Sequence, residues 1–229
     1  MMFFRRSYQK EIMDDVTIGG ETLDRAFREL TKINKWLGGQ ATSLKGIMTL
    51  TKYIPHPKTL TILDVGSGGS DIADAVSSID ADVKITALDL NKNALSYAAK
   101  VHPSIHVVQG SVLALPFHDQ SFDIVHASLF LHHFSEDDLR DILHSLMNVT
   151  RYGIIINDLR RSVFAYLGIT FLAQVLSRSD MVKHDGPLSV RRGFTLKELK
   201  KICGSISSAS VTIHRRWAFR WLVCIKKNP

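Results

Sequence analysis

The stretch TLTILDVGSGGSDIADAV, Thr59 to Val76, decides the fold. Its first seven residues read as a strand buried on both faces. Gly66 and Gly68 then permit a sharp turn and a close backbone approach, and from about Ser70 the pattern becomes a helix with free N–H groups at its start. Turns of this kind hold nucleotide-derived cofactors, and the neighbouring charges discriminate among them. A dinucleotide-binding turn continues G-x-G-x-x-G, but the sixth position counted from Gly66 is Asp71, which would repel a pyrophosphate. Asp64 adds a second negative charge at the same mouth. S-adenosylmethionine has no phosphate and brings an ammonium and a sulfonium, so two carboxylates favour it. A plain strand–helix turn with no ligand is the other reading of a glycine turn alone.

Working outward, VKITALD, IHVVQG, FDIVHAS and GIIIND are further short apolar runs, separated by helical patterns such as Leu139, Ile142, Leu143, Leu146 and Met147. Alternating strand and helix predict an α/β fold with a doubly wound, mostly parallel sheet. Two closing strands, near Ser210–Ile213 and Trp217–Lys226, bring the count to seven and form an antiparallel edge, with Arg215-Arg216 marking their connection. Upstream, Leu23, Phe27, Leu30, Ile33 and Leu37 recur at helical spacing until Gly38-Gly39, and a second helix runs from about Thr42 to Tyr53, ended by Pro55 and Pro57. This divides the chain into an N-terminal helical lid over 1–57, with Trp36 near its end, and an α/β domain over 58–229. Within the latter, an insertion spans about 160–194. That insertion contains VFAYLGITFLAQVL, Val163 to Leu176, with few polar faces. It is expected to be a helix buried against the sheet and the N-terminal helices; lining an apolar pocket, or lying in a membrane surface flanked by Arg160, Arg161 and Arg178, are the alternatives.

The 229 residues carry a formal net charge of +7, but the basic residues are dispersed as separated pairs, which argues against specific nucleic-acid binding. Cys203 and Cys224 read as buried, reduced thiols. The N-terminal MMFFRRSYQKEIMDD places charge where an export signal needs apolar residues, and the 14-residue apolar run is too short for a bilayer. The expectation is a cytoplasmic monomer or homodimer with at most peripheral membrane contact.

Asp89 closes the second strand 23 residues after Gly66, where an acid accepts hydrogen bonds from both ribose hydroxyls or, alternatively, caps the helix near Asn91. A third signal follows in QGSVLALPFHDQSFDIVHASLFLHHF, Gln109 to Phe134. Together with LDVGSGGSDIA, TALDLNKNAL and RRGFTLKELKKI, it makes the chain resemble a class I S-adenosylmethionine-dependent methyltransferase. The likeness is to the small-molecule branch typified by quinone-biosynthesis enzymes. RSYQKEIMDD and INKWLGG resemble, more weakly, a bacterial subgroup acting on aromatic or polyketide-like products.

The resemblance implies a Rossmann-like fold in which Asp64, Gly66, Gly68 and Asp71 surround the methionine part of the cofactor and Asp89 takes the ribose. Leu90 would pack on the adenine, Ser111 and Val112 would meet its edge, and Ser128 would lie near the methionine moiety. The resemblance also implies that the insertion over about 160–194 builds a substrate pocket. Two positions depart from the pattern. Ser70 replaces the usual third glycine, its hydroxyl available as a cap, and Ser111 stands where an Asp commonly reaches the adenine.

Removing the proton of a phenol or enol acceptor suits a histidine. His133 and His184 are the candidate bases, although His132-His133 also reads as a structural pair and His184 as a solvated loop residue. No metal site is expected, because the histidines lack ligand spacing such as H-E-x-x-H. The function expected is methyl transfer to a small, aromatic, lipophilic acceptor, with O-methylation favoured over C-methylation. A nucleic-acid methyltransferase and a noncatalytic cofactor-binding module are the rivals.

Overall fold

In the computed structural model, which describes residues 5–55, 58–79 and 81–228, the opening run becomes β1 (Thr59–Val65), at the centre of the parallel part of a sheet. The other strands are β2 (Asp82–Asp89), β3 (His106–Gln109), β4 (Phe122–Ser128), β5 (Thr150–Leu159), β6 (Ala209–Arg216) and β7 (Arg220–Lys227). The seven-stranded order is β3-β2-β1-β4-β5-β7-β6, with β1 to β5 parallel and β7 antiparallel to both neighbours. Strand order reverses beside β1, so the carboxyl ends of β1 and β4 splay into a crevice. Pairing sets Asp64 beside His126 across that crevice floor.

Helices cover both faces, which is why the central strands are largely apolar. On one face α5 (Glu136–Val149) and α8 (Leu196–Cys203) pack Leu139, Leu143, Leu146 and Leu199 against Leu63, Val125 and Ile154. On the other, α2 (Gly39–Thr51), α3 (Ile72–Val76) and α4 (Lys92–Val101) lie over Ile62, Ile85, Ile124 and Ile155. A Cβ on Gly46 of α2 would stand 2.6 Å from the Ile155 side chain, so that helix sits as close to the sheet as backbone allows. α1 (Gly20–Trp36) contributes Leu23, Ala26 and Phe27 to a third cluster, with Ala94 of α4, Ala173 of α6 (Val163–Leu176), and Met181 and Val182 of α7 (Asp180–Arg192). Pro57, expected to end the second helix and the lid, lies outside the described residues, as do residues 1–4 of the N-terminal segment.

Three local expectations need correction. The connection between the closing strands is Trp217–Phe219, not Arg215-Arg216, which pair with Trp221 and Arg220 inside the ladder; the chain reverses through left-handed backbone at Ala218 and Phe219. Ser70 does not cap a helix. It is fully buried at φ 56° and its hydroxyl donates to Asp64 Oδ2 at 3.2 Å, while α3 begins two residues later. Finally, α6 is not buried. Both sheet faces are already covered, and only Ala165 and Ala173 of this helix are buried.

Candidate active site

The carboxyl ends of β1, β2 and β4 open into one cleft with two lobes, of about 130 and 470 Å3, which share Met13, Phe27, Gly66, Gly68 and Leu129. The glycine turn forms the ridge between them. Gly66 and Gly68 hold left-handed backbone at φ 61° and 49°, and a Cβ on Gly66 would fall 1.9 Å from the ring of Phe130. Leu129, at φ 52°, is a left-handed non-glycine residue opposite them, fixed by a hydrogen bond from its N–H to Asn157 O at 2.9 Å.

The smaller lobe holds a network of polar groups around two carboxylates, Asp64 and Asp71. Asp64 Oδ1 lies 2.7 Å from His126 Nδ1, whose Nε2 lies 2.8 Å from Ser43 Oγ. Asn157 donates to Ser43 at 2.9 Å and to the Ser128 hydroxyl at 3.2 Å. On the facing wall, Asp71 accepts from Thr31 Oγ1 at 2.5 Å and from Asn34 Nδ2 at 3.1 Å; Asn34 in turn accepts from Arg220 at 2.7 Å. Burial pushes Asp71 up from the usual carboxylate range, against the hydrogen bonds of Thr31 and Asn34, and pushes Arg220 down to about 10. Two donors remain unsatisfied: among the described residues, the buried Gln40 Nε2 and Ser67 Oγ lack a partner. Carboxylates beside free donors fit the two charged ends of an α-amino acid.

The larger lobe begins at Asp89. One oxygen accepts from Gly68 N at 2.9 Å and the other from Asn91 N at 2.9 Å, and burial raises its pKa. The helix cap there is Asn91, which accepts from Asn93 N and Ala94 N, so Asp89 braces the glycine turn instead. Leu90, half-exposed, and buried Val112 form an apolar wall beside it. Ser111 accepts from Leu113 N at 3.2 Å, which tightens the loop.

At the other end of this lobe stand Tyr8, Asp14, Phe130, His133, Phe134 and Arg192. His133 Nδ1 lies 2.5 Å from Asp14 Oδ1, and Arg192 donates to Asp14 Oδ2 at 2.7 Å and to His133 O at 3.0 Å. Burial would raise Asp14, but the hydrogen bonds from His133 and Arg192 overcome it and hold the group far below the carboxylate range. Stacked on His133 at 4.3 Å is His132, wholly buried, with Nδ1 2.7 Å from Asp158 and Nε2 3.5 Å from Glu11. Burial alone would lower His132; the charge and hydrogen bond of Asp158, reinforced by Glu11, push it up to about 9. Glu11, His132 and His133 bring possible ligand atoms within 4.8 Å of one another, yet the Arg192 guanidinium already lies 3.5 Å from Glu11. The cluster is thus balanced by its own cations.

Residues 62–153 match the family model described as a methyltransferase domain. Over that stretch, about 40% of the chain, the protein is similar to methyltransferase domains. Demethylmenaquinone methyltransferase of Chlorobaculum parvum is 36% identical over 85 residues, 37% of this chain and 35% of that protein, so the match spans about a third of the relative. In structure, human N-acetylserotonin methyltransferase in complex with S-adenosylmethionine superposes with a TM-score of 0.66 at 13% identity, covering 97% of this chain and 60% of that one. Magnesium protoporphyrin IX methyltransferase from Synechocystis PCC 6803, with bound S-adenosylhomocysteine, gives 0.57 at 14% identity, covering 83% and 84%. These two likenesses concern the fold.

Every residue expected to surround a cofactor lines one lobe or the other. Of the two candidate bases, only His133 reaches the cleft. His184 lies on α7 with its side chain 54% exposed, bound to Asp185, and lines neither lobe. Asp185 is itself occupied by the N–H groups of Ile12 and Met13. Sequence reasoning missed Asp14, Glu11, Asn34, Gln40, Ser43 and Arg192. Their signal lay in EIMDD, INKWLGGQATS and VRRGF, segments remote from the glycine turn that only the fold assembles.

Proposed function

We propose that the protein is an S-adenosylmethionine-dependent methyltransferase that O-methylates a small, aromatic, lipophilic acceptor. The observation that carries this reading is the placement of the His133–Asp14 pair in the same lobe as Asp89 and Leu90. Asp64, Asp71, Ser67 and Gln40 would hold the amino-acid end of the cofactor, Asp89 the ribose and Leu90 the adenine; bound there, the cofactor supplies a methyl group already activated on a sulfonium. The protein's own task is then positioning, exclusion of water and removal of one proton. His133 takes the acceptor's proton through Nε2, while Asp14 fixes the ring and stabilises the imidazolium that forms. Phe130, Phe134 and Tyr8 offer flat surfaces for an aromatic acceptor. The acceptor named for the relatives, a demethylated menaquinone, is of that class.

The N-terminal segment, from Tyr8 through α1, serves as the cover, since Tyr8, Asp14 and Val16 line the larger lobe and Leu30 and Asn34 the smaller. The test is to incubate the full-length protein with methyl-labelled S-adenosylmethionine and a panel of phenols, quinols and RNA. Label on the oxygen of a phenol or quinol, and none on RNA, is expected. Label on RNA alone, or cofactor bound without transfer to any member, would contradict the proposal.

A further inference from the structure

α6 is turned inside out relative to an ordinary surface helix. It contains no charged residue, and its large apolar side chains face solvent: Phe164 is 76% exposed, Phe171 71%, Val175 61% and Leu167 57%. Positions 164, 167, 171 and 175 form one stripe along a rod about 21 Å long at roughly 1.5 Å per residue. Gly168, within the stripe, has nothing within 4 Å of the position a Cβ would take. An isolated apolar side chain on a surface is ordinary, but a continuous stripe marks a contact face.

Charge indicates what that contact is. Just before the amino-terminal end Arg160 stacks over Phe219, which places the β6–β7 turn beside the segment leading into the helix; that turn carries Trp217, 74% exposed, and follows exposed Arg215 and Arg216. At the carboxyl end Arg178 is exposed, while the nearby carboxylate of Glu29 is engaged by Ser177, Arg178 N and Ser179 N. An apolar stripe between a Trp-and-Arg end and an Arg end matches the layers of a lipid–water interface, apolar side chains among acyl chains and cations at anionic headgroups. Among the described residues no helix is long and apolar enough to cross a membrane, so the helix would lie on the surface. A second copy of the chain fits less well, since each copy carries +7 and would bring its arginine rims against the same rims.

We propose that the outer face of α6, with Trp217 and the flanking arginines, docks the protein onto anionic lipid bilayers. The inner side of α6 packs on α7, which carries Arg192 to the larger lobe, so docking would set that lobe close to the lipid. Docking itself does not depend on methyl transfer.

The test is co-sedimentation of the full-length protein with phosphatidylcholine vesicles, with and without phosphatidylglycerol, across a salt series. The wild type is expected to bind the anionic vesicles and to be released by salt. The double variant Phe164→Ser/Phe171→Ser, altered only at exposed positions, should bind at least about tenfold more weakly with an unchanged circular dichroism spectrum. Arg178→Glu should weaken binding to anionic vesicles alone. Absence of wild-type binding, or binding indifferent to the double variant, would overturn the proposal. So would stripe-dependent dimerisation by light scattering in a protein that ignores vesicles, which would assign the face to a second copy.

Discussion

Gly66 shows how one residue ties fold to site. Its backbone is left-handed and a side chain would enter the Phe130 ring, so Gly66→Ala meets both backbone strain and a clash. Strain of this kind costs about 1–3 kcal/mol, and denaturant unfolding should show at least that loss, with weaker binding in the cleft. Unchanged stability would mean that the turn is not held as described. At the opposite wall, His133→Gln should lower kcat by about 10²–10⁴-fold while S-adenosylhomocysteine affinity is retained. Asp14→Asn should lower kcat less, and the double variant should cost no more than His133→Gln alone, because the pair acts as a unit. Multiplicative losses, measured by steady-state kinetics on the acceptor, would separate the two residues and refute the dyad. Gly66 and Asp64 could be read from sequence because they are local to one strand and turn, and Asp89 because it closes the next strand. Asp14 could not, because its partner stands 119 positions away.

Among the elements, the short 3-10 turn Ile12–Asp14 has the largest consequences for its size. It brings Asp14 to His133, and Glu11 just before it to His132, while Arg6 and Arg192 donate to the carbonyl of His132 at 2.7 and 3.4 Å. No apolar periodicity announces such an element, since three residues are too few to show a period and their place is fixed by the ion pairs of Glu11 and Asp14 with distant segments. The His132 imidazolium gives the junction a pH signature. Its pKa is raised to about 9 from an ordinary 6.5, so its stabilising contribution is complete below about pH 6.5 and is lost as pH rises through about 9. The melting temperature should therefore fall between pH 7 and 9.5, and His132→Asn should flatten that limb. A wild-type melting temperature constant over this range would contradict the assignment. α6 teaches a complementary lesson. Its helical span was plain in the sequence, but its exposure was not, because hydrophobicity predicts burial only where a face remains to be covered.

At the scale of the molecule, the sheet was largely legible. Continuous apolar runs identify buried parallel strands, and the glycine turn after the first of them marks where the order reverses and the crevice opens. The exact closing turn was not legible, because Arg215 and Arg216 are as acceptable on an exposed edge strand as in a loop. What the whole fold adds is convergence: strand ends supply Asp64, Asp89 and Ser128, whereas the N-terminal turn, α1, α2 and α7 supply Asp14, Asn34, Gln40 and Arg192. The central claim is that this converged cleft holds S-adenosylmethionine with Asp89 on the ribose. Titration calorimetry of the wild type and Asp89→Ala with S-adenosylhomocysteine tests it most directly. The prediction is one-to-one binding by the wild type and a loss of about 2 kcal/mol, roughly 30-fold, in a variant whose circular dichroism shows it folded. No binding by the wild type, or equal affinity in the folded variant, would contradict it.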